Sequence, residues 1–103
     1  MSRPEKEKMI CRMPAYRCFA PGDPGQADKH SLLLGVDEYE AVRLIDYLGL
    51  TQEQCAAQMQ VGRATVQAIY SDARKKIARF LVEGASLRIS GGSYRICSGR
   101  NCI

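Results

Sequence analysis

The stretch VGRATVQ, residues 61–67, lies between a short amphipathic segment and a longer, strongly basic one. Before it, Thr51 and Gln54 have the spacing of a capping box, in which two side chains satisfy backbone N–H groups at the start of a helix. After it, apolar residues recur at the three- and four-residue spacing of a helix: Val66, Ile69, Ala73, Ile77, Phe80 and Leu81. The sequence therefore predicts a short helix, a three-residue turn, and a second helix that runs from Arg63 to Glu83 and ends at Gly84.

Two helices joined by a short turn, the second of them basic, are typical of a helix-turn-helix, which places its second helix in the major groove of DNA. The positions that such a motif buries all carry small or apolar residues: Cys55, Ala56, Met59, Val61, Val66 and Ile69. When these residues pack inward, the polar and basic side of the second helix faces outward. The candidate DNA-binding residues are accordingly Arg63, Ala64, Thr65, Gln67, Ser71, Arg74, Lys75 and Arg79.

These candidates differ in what they can recognise. Arg63 can form a bidentate contact with guanine and Gln67 one with adenine, so both are predicted to contact bases. Thr65 and Ser71 are short donors suited to phosphate, and the basic residues from Arg74 onward are predicted to contact the DNA backbone. The alternative is a helical bundle in which the same basic face is only solvated.

The net charge of +4 is unevenly distributed along the chain. Residues 1–17 carry five bases and two acids, whereas residues 23–53 carry seven acids and two bases. Residues 63–79 then carry five bases and one acid, and residues 87–103 carry three bases and no acid. Such asymmetry favours a polyanion-binding face backed by an acidic one.

The other segments surround a helix-turn-helix domain predicted over residues 36–84. Residues 1–8 are predicted to be a flexible basic arm, and residues 9–35 a β-leaning segment with a loop. Residues 85–103 are predicted to form a β-hairpin with its turn at Gly91-Gly92, followed by a cysteine-containing tail. The predicted fold class is mainly α, with a small antiparallel β element formed by the N- and C-terminal segments.

The first helix of this domain is predicted to begin with Asp37 as its N-cap, followed three residues later by Glu40, and to end at Gly49. The acids Glu38 and Glu40 are then expected on a solvated helix face and not as a catalytic pair. No arrangement of residues in the sequence has the spacing of a phosphate-binding loop, and neighbouring histidine, serine and aspartate residues do not make a catalytic triad. The protein is therefore not expected to be an enzyme.

Four of the five cysteines lie in the two terminal segments, as Cys11, Cys18, Cys97 and Cys102, whereas Cys55 is predicted to be a core thiol. If the terminal strands pair, the four sulfur atoms converge, and four thiolates suit zinc or an iron–sulfur cluster. The protein would then be a metal- or redox-sensing regulator. The alternative is that the first two cysteines are half-buried strand residues and the last two belong to a disordered tail.

The length of 103 residues predicts one compact domain. With no run of about 18 apolar residues and no apolar leader, the sequence predicts a cytoplasmic protein that spans no membrane and keeps its thiols reduced. One small DNA-binding module gives little specificity, which favours a homodimer on paired half-sites. The predicted dimer contact comes from apolar residues of the C-terminal strands: Leu87, Ile89, Tyr94 and Ile96.

Several stretches together resemble one known family: Cys11-Arg12, Pro14, Phe19-Ala20-Pro21-Gly22, Asp37-Glu38-Tyr39-Glu40-Ala41-Val42-Arg43-Leu44, Gly49-Leu50-Thr51-Gln52-Glu53, Ala73-Arg74-Lys75-Lys76-Ile77-Ala78, and Gly84 with Leu87-Arg88-Ile89-Ser90-Gly91-Gly92-Ser93-Tyr94. That family is uncharacterised protein family 0251, also called domain of unknown function 134. Its members are small proteins expected to bind DNA through a helix-turn-helix like that of sigma-factor region four. The resemblance covers nearly the whole chain and implies the same fold, with double-stranded DNA as the partner.

Two positions depart from the pattern of that family. Gln60 and Gly62 stand where the family usually has a turn glycine and a serine N-cap. A left-handed Gln60 costs about 1 kcal/mol, and Gly62 lacks a hydroxyl that suits phosphate. These departures leave open a helix-turn-helix interaction module that does not bind DNA.

Overall fold

The computed structural model describes residues 7–23 and 31–97. Its helices are α1 (Val36–Val42), which continues into a π-helical turn (Arg43–Tyr47), α2 (Gln52–Met59) and α3 (Arg63–Glu83). Its strands are β1 (Lys8–Ile10), β2 (Cys18–Phe19), β3 (Ser31–Leu34), β4 (Ser86–Ile89) and β5 (Tyr94–Ile96). The mainly α class is confirmed, whereas most of the predicted basic arm, part of the predicted loop and Cys102 lie outside the described residues. None of the described helices has the length and apolar character needed to cross a membrane.

The boundaries of α2 and α3 are those predicted from sequence. At the start of α2, the Thr51 hydroxyl accepts a hydrogen bond from the Gln54 N–H at 3.1 Å, and Gln54 Oε1 accepts one from the Thr51 N–H at 2.9 Å. Gln60 ends α2 in the left-handed conformation with φ of 57°, and the extended Gly62 is the N-cap of α3. Gly84, with φ of 67°, ends α3 as predicted. Local capping signals therefore determine these two helices.

The predicted start of α1 is wrong by two residues. The N-cap is Gly35, whose N–H donates a 2.7 Å hydrogen bond to Glu38 Oε1. Asp37, predicted to be the cap, lies within the helix and is buried, with its Oδ2 3.2 Å from Lys8 Nζ. The observed capping contact therefore joins Gly35 to Glu38, and the Asp37 carboxylate pairs with Lys8 instead of capping the helix.

The terminal segments form two small sheets, and the predicted antiparallel arrangement is only partly correct. In the three-stranded sheet, of order β2-β4-β3, β2 runs antiparallel to β4 as predicted, but β3 runs parallel to it. In the two-stranded sheet, β1 and β5 are parallel, with Lys8 opposite Tyr94 and Ile10 opposite Ile96. Parallel pairing follows because long helical connections separate both pairs along the chain.

The predicted β-hairpin around Gly91-Gly92 is also wrong, since β4 and β5 pair with different strands. Both glycines have positive φ values, 75° and 91°, so a tight turn is present. That turn packs on the start of α1: the Val36 N–H donates to the Gly91 carbonyl at 2.9 Å, and a side chain at Gly92 would collide with the Asp37 carboxylate. This contact directs β5 away from β4 and towards β1.

Two hydrophobic clusters hold the elements together. One lies between the helices and consists of Ala41, Leu44, Cys55, Ala56, Met59 and Val66, with Val61 and Ile69 partly buried beside it. The six inward positions predicted for the helix-turn-helix pattern are thereby confirmed. The other cluster joins the strands to α1 and α3 and consists of Ile10, Leu32, Leu34, Val36, Ala73, Ala85, Leu87 and Ile89.

Two predictions about apolar residues fail against this core. Leu87 and Ile89, expected to contact a second copy, are buried in the core of the chain itself because β4 is the central strand of its sheet. Of the other two predicted dimer residues, Tyr94 is half-buried and Ile96 is exposed. Leu81, assigned to the buried face of α3, is 70% exposed because it lies near the end of the helix, on its outer side.

Candidate nucleic-acid interface

The outer face of α3 is solvated over its length. All the predicted DNA-binding residues except Thr65 are exposed, and Thr65 is half-buried. The guanidinium-bearing side chains of Arg63 and Arg74 are 64% and 63% exposed. On the opposite side of the helix, Val66 and Ala73 are fully buried. The sequence folds in this way because the apolar residues of α3 recur at helical spacing and leave the polar ones outside.

The helical repeat separates the eight candidates into two groups. With 3.6 residues per turn, one broad face of α3 is shared by six of them: Arg63, Ala64, Gln67, Ser71, Arg74 and Lys75. Thr65 and Arg79 lie towards the neighbouring side, next to Asp72. Arg79 also pairs with Glu83 at 3.3 Å. The six residues that share one face are called the α3 face below.

An open depression of about 580 Å³ lies along the α3 face. It is lined by Gln52, Gln67, Tyr70, Ser71, Arg74, Lys75 and Ala78. Gln52 is the first residue of α2, so the depression joins the start of one helix to the middle of the next. Gln52 and Tyr70 are not among the residues predicted from the sequence. The Thr51 capping box, which places Gln52 in the first turn of α2, is a local signal for Gln52.

Acidic residues contact two of the arginines of the α3 face. Arg63 Nη1 lies 3.9 Å from Glu53 Oε1, and both side chains are largely exposed. Arg74 Nε lies 3.5 Å from Asp46 Oδ2, and its guanidinium is 5.5 Å from the centre of the Tyr70 ring. Exposed pairs of this kind contribute at most about 1 kcal/mol, so the arginines can exchange these partners for a stronger anion.

The carboxylates of α1 are in a different environment, and the prediction that Glu38 and Glu40 lie on a solvated face is wrong. They are 8% and 2% exposed, respectively. Glu40 accepts hydrogen bonds from Arg43 Nε at 2.8 Å and from the Cys11 N–H at 3.0 Å. The hydrogen bond with Glu40 raises the pKa of Arg43. Glu40 therefore pairs with a cation of the π-helical turn that continues α1 and also binds the backbone of the N-terminal segment.

Lys76 of α3 is partly exposed, but it contacts these inward acids and does not belong to the α3 face. Its Nζ lies 2.7 Å from Glu38 Oε1, an oxygen that also accepts the Gly35 N–H. Lys8 of β1 is 1% exposed and pairs with Asp37. Each of the three inward acids of α1 therefore has a cation close by, which is the condition under which proteins bury charges.

The cysteines are distributed over several environments. Cys55 is buried, and burial raises the pKa of its thiol to about 11, in line with the predicted core thiol. Among the predicted metal ligands, Cys18 is an exposed thiol and Cys97 is a half-buried thiol. Cys11 is disulfide-bonded, so the prediction that all thiols are reduced is wrong for this residue. Within residues 7–23 and 31–97, no group of three or more potential ligands is placed to hold a metal ion. The four-cysteine site includes Cys102, beyond those ranges, and needs Cys11 as a reduced thiolate, so it stays a prediction for the reduced protein.

Comparisons with known proteins agree with the resemblance seen in the sequence. The sequence profile of the family described as "Protein of unknown function DUF134" matches residues 1–97. A "UPF0251 protein" of Desulfitobacterium hafniense is 50% identical over 99 residues, which cover 96% of this chain and 79% of that protein. A "UPF0251 protein" of Halothermothrix orenii is 45% identical over 96 residues, which cover 93% of this chain and 71% of that protein. No solved structure gives a significant match.

Proposed function

We propose that this chain, which belongs to the family described as protein of unknown function DUF134, binds double-stranded DNA in a sequence-specific manner. Its proposed role is that of a transcriptional regulator. In this proposal, α2 and α3 are a helix-turn-helix of the sigma region-four type. The recognition helix is α3, whose first turn enters the major groove.

The α3 face is the observation that carries the proposal. It combines exposed guanidinium, ammonium, amide and hydroxyl groups on one side of a helix whose other side is fixed in the core. Arg63 and Gln67 lie in the first two turns, where side chains of a recognition helix reach base edges. Arg74 and Lys75 lie further along α3, where we expect contacts with the DNA backbone and not with bases. A rigid helix with this order of groups favours base recognition supported by phosphate contacts.

The free N–H groups at the start of α3 add to this attraction. The N-cap Gly62 has no side chain, so no side-chain hydrogen bond caps the helix, and the first turn contains no acid. The partial positive charge of the helix start therefore favours phosphate there. Three of the eleven acids of the chain lie on α1 and are paired inside the protein, whereas Glu53 and Asp46 lie beside Arg63 and Arg74.

Fluorescence anisotropy with mixed-sequence duplex DNA at 50 and 200 mM salt tests this function. With four phosphate contacts per chain, the logarithm of the affinity should fall with the logarithm of the salt concentration with a slope of about −3.6. The affinity should then drop roughly hundredfold between these two conditions. Absent or salt-insensitive binding by folded protein would favour an interaction module instead. Salt-dependent binding would justify selecting the preferred sequence from a random library.

A dimer on paired half-sites is part of the proposal, because a single module of this size gives little specificity. Leu87 and Ile89 of β4 do not supply the contact between the two copies, because they are buried in the core of the chain itself. Sedimentation velocity with and without a selected DNA site distinguishes two copies per site from one. A single copy bound with full specificity would remove the dimer from the proposal while leaving DNA binding intact.

A further inference from the structure

A small polar network lies at the edge of the depression on the α3 face. Asp46, in the π-helical turn after α1, accepts a 2.7 Å hydrogen bond from the Tyr70 hydroxyl through Oδ1. Its other oxygen, Oδ2, lies 3.5 Å from Arg74 Nε. The Arg74 guanidinium is also 5.5 Å from the centre of the Tyr70 ring. One carboxylate thus contacts two neighbouring residues of α3, and those two residues contact each other.

This network is unexpected on a surface that binds a polyanion. A carboxylate beside a phosphate is repelled, so electrostatics alone disfavours Asp46 at this place. Core packing accounts for Tyr70, which is half-buried against the cluster between the helices, but not for Arg74 and Asp46, which are 63% and 36% exposed. The contacts instead restrict the rotamers of a long, flexible arginine, whose ordering otherwise lowers the affinity for a ligand.

We propose that Asp46 is a positioning residue, which holds Arg74 against Tyr70 so that its remaining N–H groups meet a DNA backbone phosphate in the depression. This inference rests on the proposed DNA-binding function. Asp46 engages the Nε side of the guanidinium, and an arginine has further donors on its two Nη atoms. Ser71 and Lys75, which line the same depression, supply a hydroxyl and an ammonium to the same anion.

A positioning role and simple repulsion predict opposite changes in DNA affinity when the charge of Asp46 is removed. If Asp46 only repels DNA, then removing its charge raises the affinity. If Asp46 positions Arg74, then removing the charge lowers the affinity, and the loss disappears when Arg74 is already absent. The direction of the affinity change and its dependence on Arg74 together distinguish the two roles.

The experiment is a double-mutant cycle measured by DNA anisotropy on the full chain, with Asp46→Asn, Arg74→Ala and the double variant. We expect Asp46→Asn to weaken binding about threefold to tenfold, a size typical of coupling between contacting residues, and to have no effect in the Arg74→Ala background. Asp72→Asn is the matched control, since it removes the same charge from an exposed position on another side of α3. This control is expected to leave affinity unchanged or to raise it slightly. Thermal unfolding of each variant verifies that the fold is retained.

Two different failures can be told apart. Salt-dependent DNA binding by the wild-type protein, with additive effects of the two substitutions or a gain of affinity for Asp46→Asn, would overturn the positioning role alone. Absent or salt-insensitive binding by the wild-type protein would overturn the proposed function and the positioning role with it. Tyr70→Phe gives an independent readout, because it removes the hydroxyl that anchors Asp46 and should weaken binding in the same direction as Asp46→Asn.

Discussion

The charges of α1 and the charges of α3 have different surroundings and, we infer, different roles. The acids of α1 point inward, where Asp37, Glu38 and Glu40 lie beside cations at 2.7 to 3.2 Å. The bases of the α3 face point outward, and the distances from Arg63 and Arg74 to their acidic neighbours are 3.9 and 3.5 Å. Charges that have lost their water depend on their partners, whereas solvated charges can exchange them. The comparison therefore predicts that the first set determines stability and the second determines binding.

The largest change, in the free energy of unfolding, is expected from the buried ion pair of Asp37 and Lys8. Replacing Asp37 by Asn removes the carboxylate 3.2 Å from the ammonium of Lys8, which is only 1% exposed. Breaking a buried ion pair from one side costs about 3 kcal/mol or more, and urea unfolding measures this loss. The exposed Asp72→Asn change is the matched control and should alter the free energy of unfolding by less than about 0.5 kcal/mol. Equal losses for the two variants would remove the distinction between the two sets of charges.

A smaller change, in the free energy of DNA binding, is expected from substitutions on the α3 face. Arg63→Ala should weaken specific DNA binding by about 1–3 kcal/mol, the range for loss of a bidentate base contact. The free energy of unfolding should change by less than about 0.5 kcal/mol, because this side chain is exposed. Anisotropy with a selected site and urea unfolding measure the two quantities.

The control for Arg63→Ala is Arg88→Ala, which removes the same charge from an exposed position on β4. It should reduce affinity much less than Arg63→Ala. If the two substitutions weaken binding equally, the α3 face is not the specific surface and net charge alone accounts for the attraction.

The smallest effect concerns the turn that joins α2 to α3. Gln60 has a φ of 57°, which is unfavourable for a residue with a side chain, so Gln60→Gly should raise the free energy of unfolding by about 1 kcal/mol. The substitution also removes the 2.6 Å hydrogen bond from Arg95 to the Gln60 side chain, an exposed contact that offsets part of the gain. Ala57→Gly, at an exposed position within α2, is the control and should lower stability by about 1 kcal/mol. A loss for both variants would mean that the turn is not strained.

Local signals account for the parts of the fold that the sequence predicts well. The Thr51 capping box, the left-handed Gln60 and the terminal Gly84 each act within one helical turn, and together they determine α2 and α3. The inward positions of α3 follow from a periodicity that needs no other element. The same periodicity identifies the exposed residues of the α3 face.

The remaining features depend on contacts between distant segments. The inward rotation of Glu40 requires the Cys11 backbone and Arg43, and the burial of Asp37 requires Lys8 of a strand far away in sequence. The Gly91-Gly92 turn resembles a hairpin until its contact with the start of α1 is known. The capping box places Gln52 in the first turn of α2, but only the packing of α2 against α3 brings it to the depression, so no single stretch of sequence reveals the whole site.

The most direct measurement of the central claim is an NMR titration of the isotope-labelled protein with duplex DNA that carries a selected site. We expect the largest amide and side-chain shift changes to follow the exposed side of α3 from Arg63 to Lys75 and to include Gln52. Residues around the buried acids of α1 should shift little. Shift changes concentrated on the strands, with the α3 face unchanged, would rule out α3 as the DNA-binding surface.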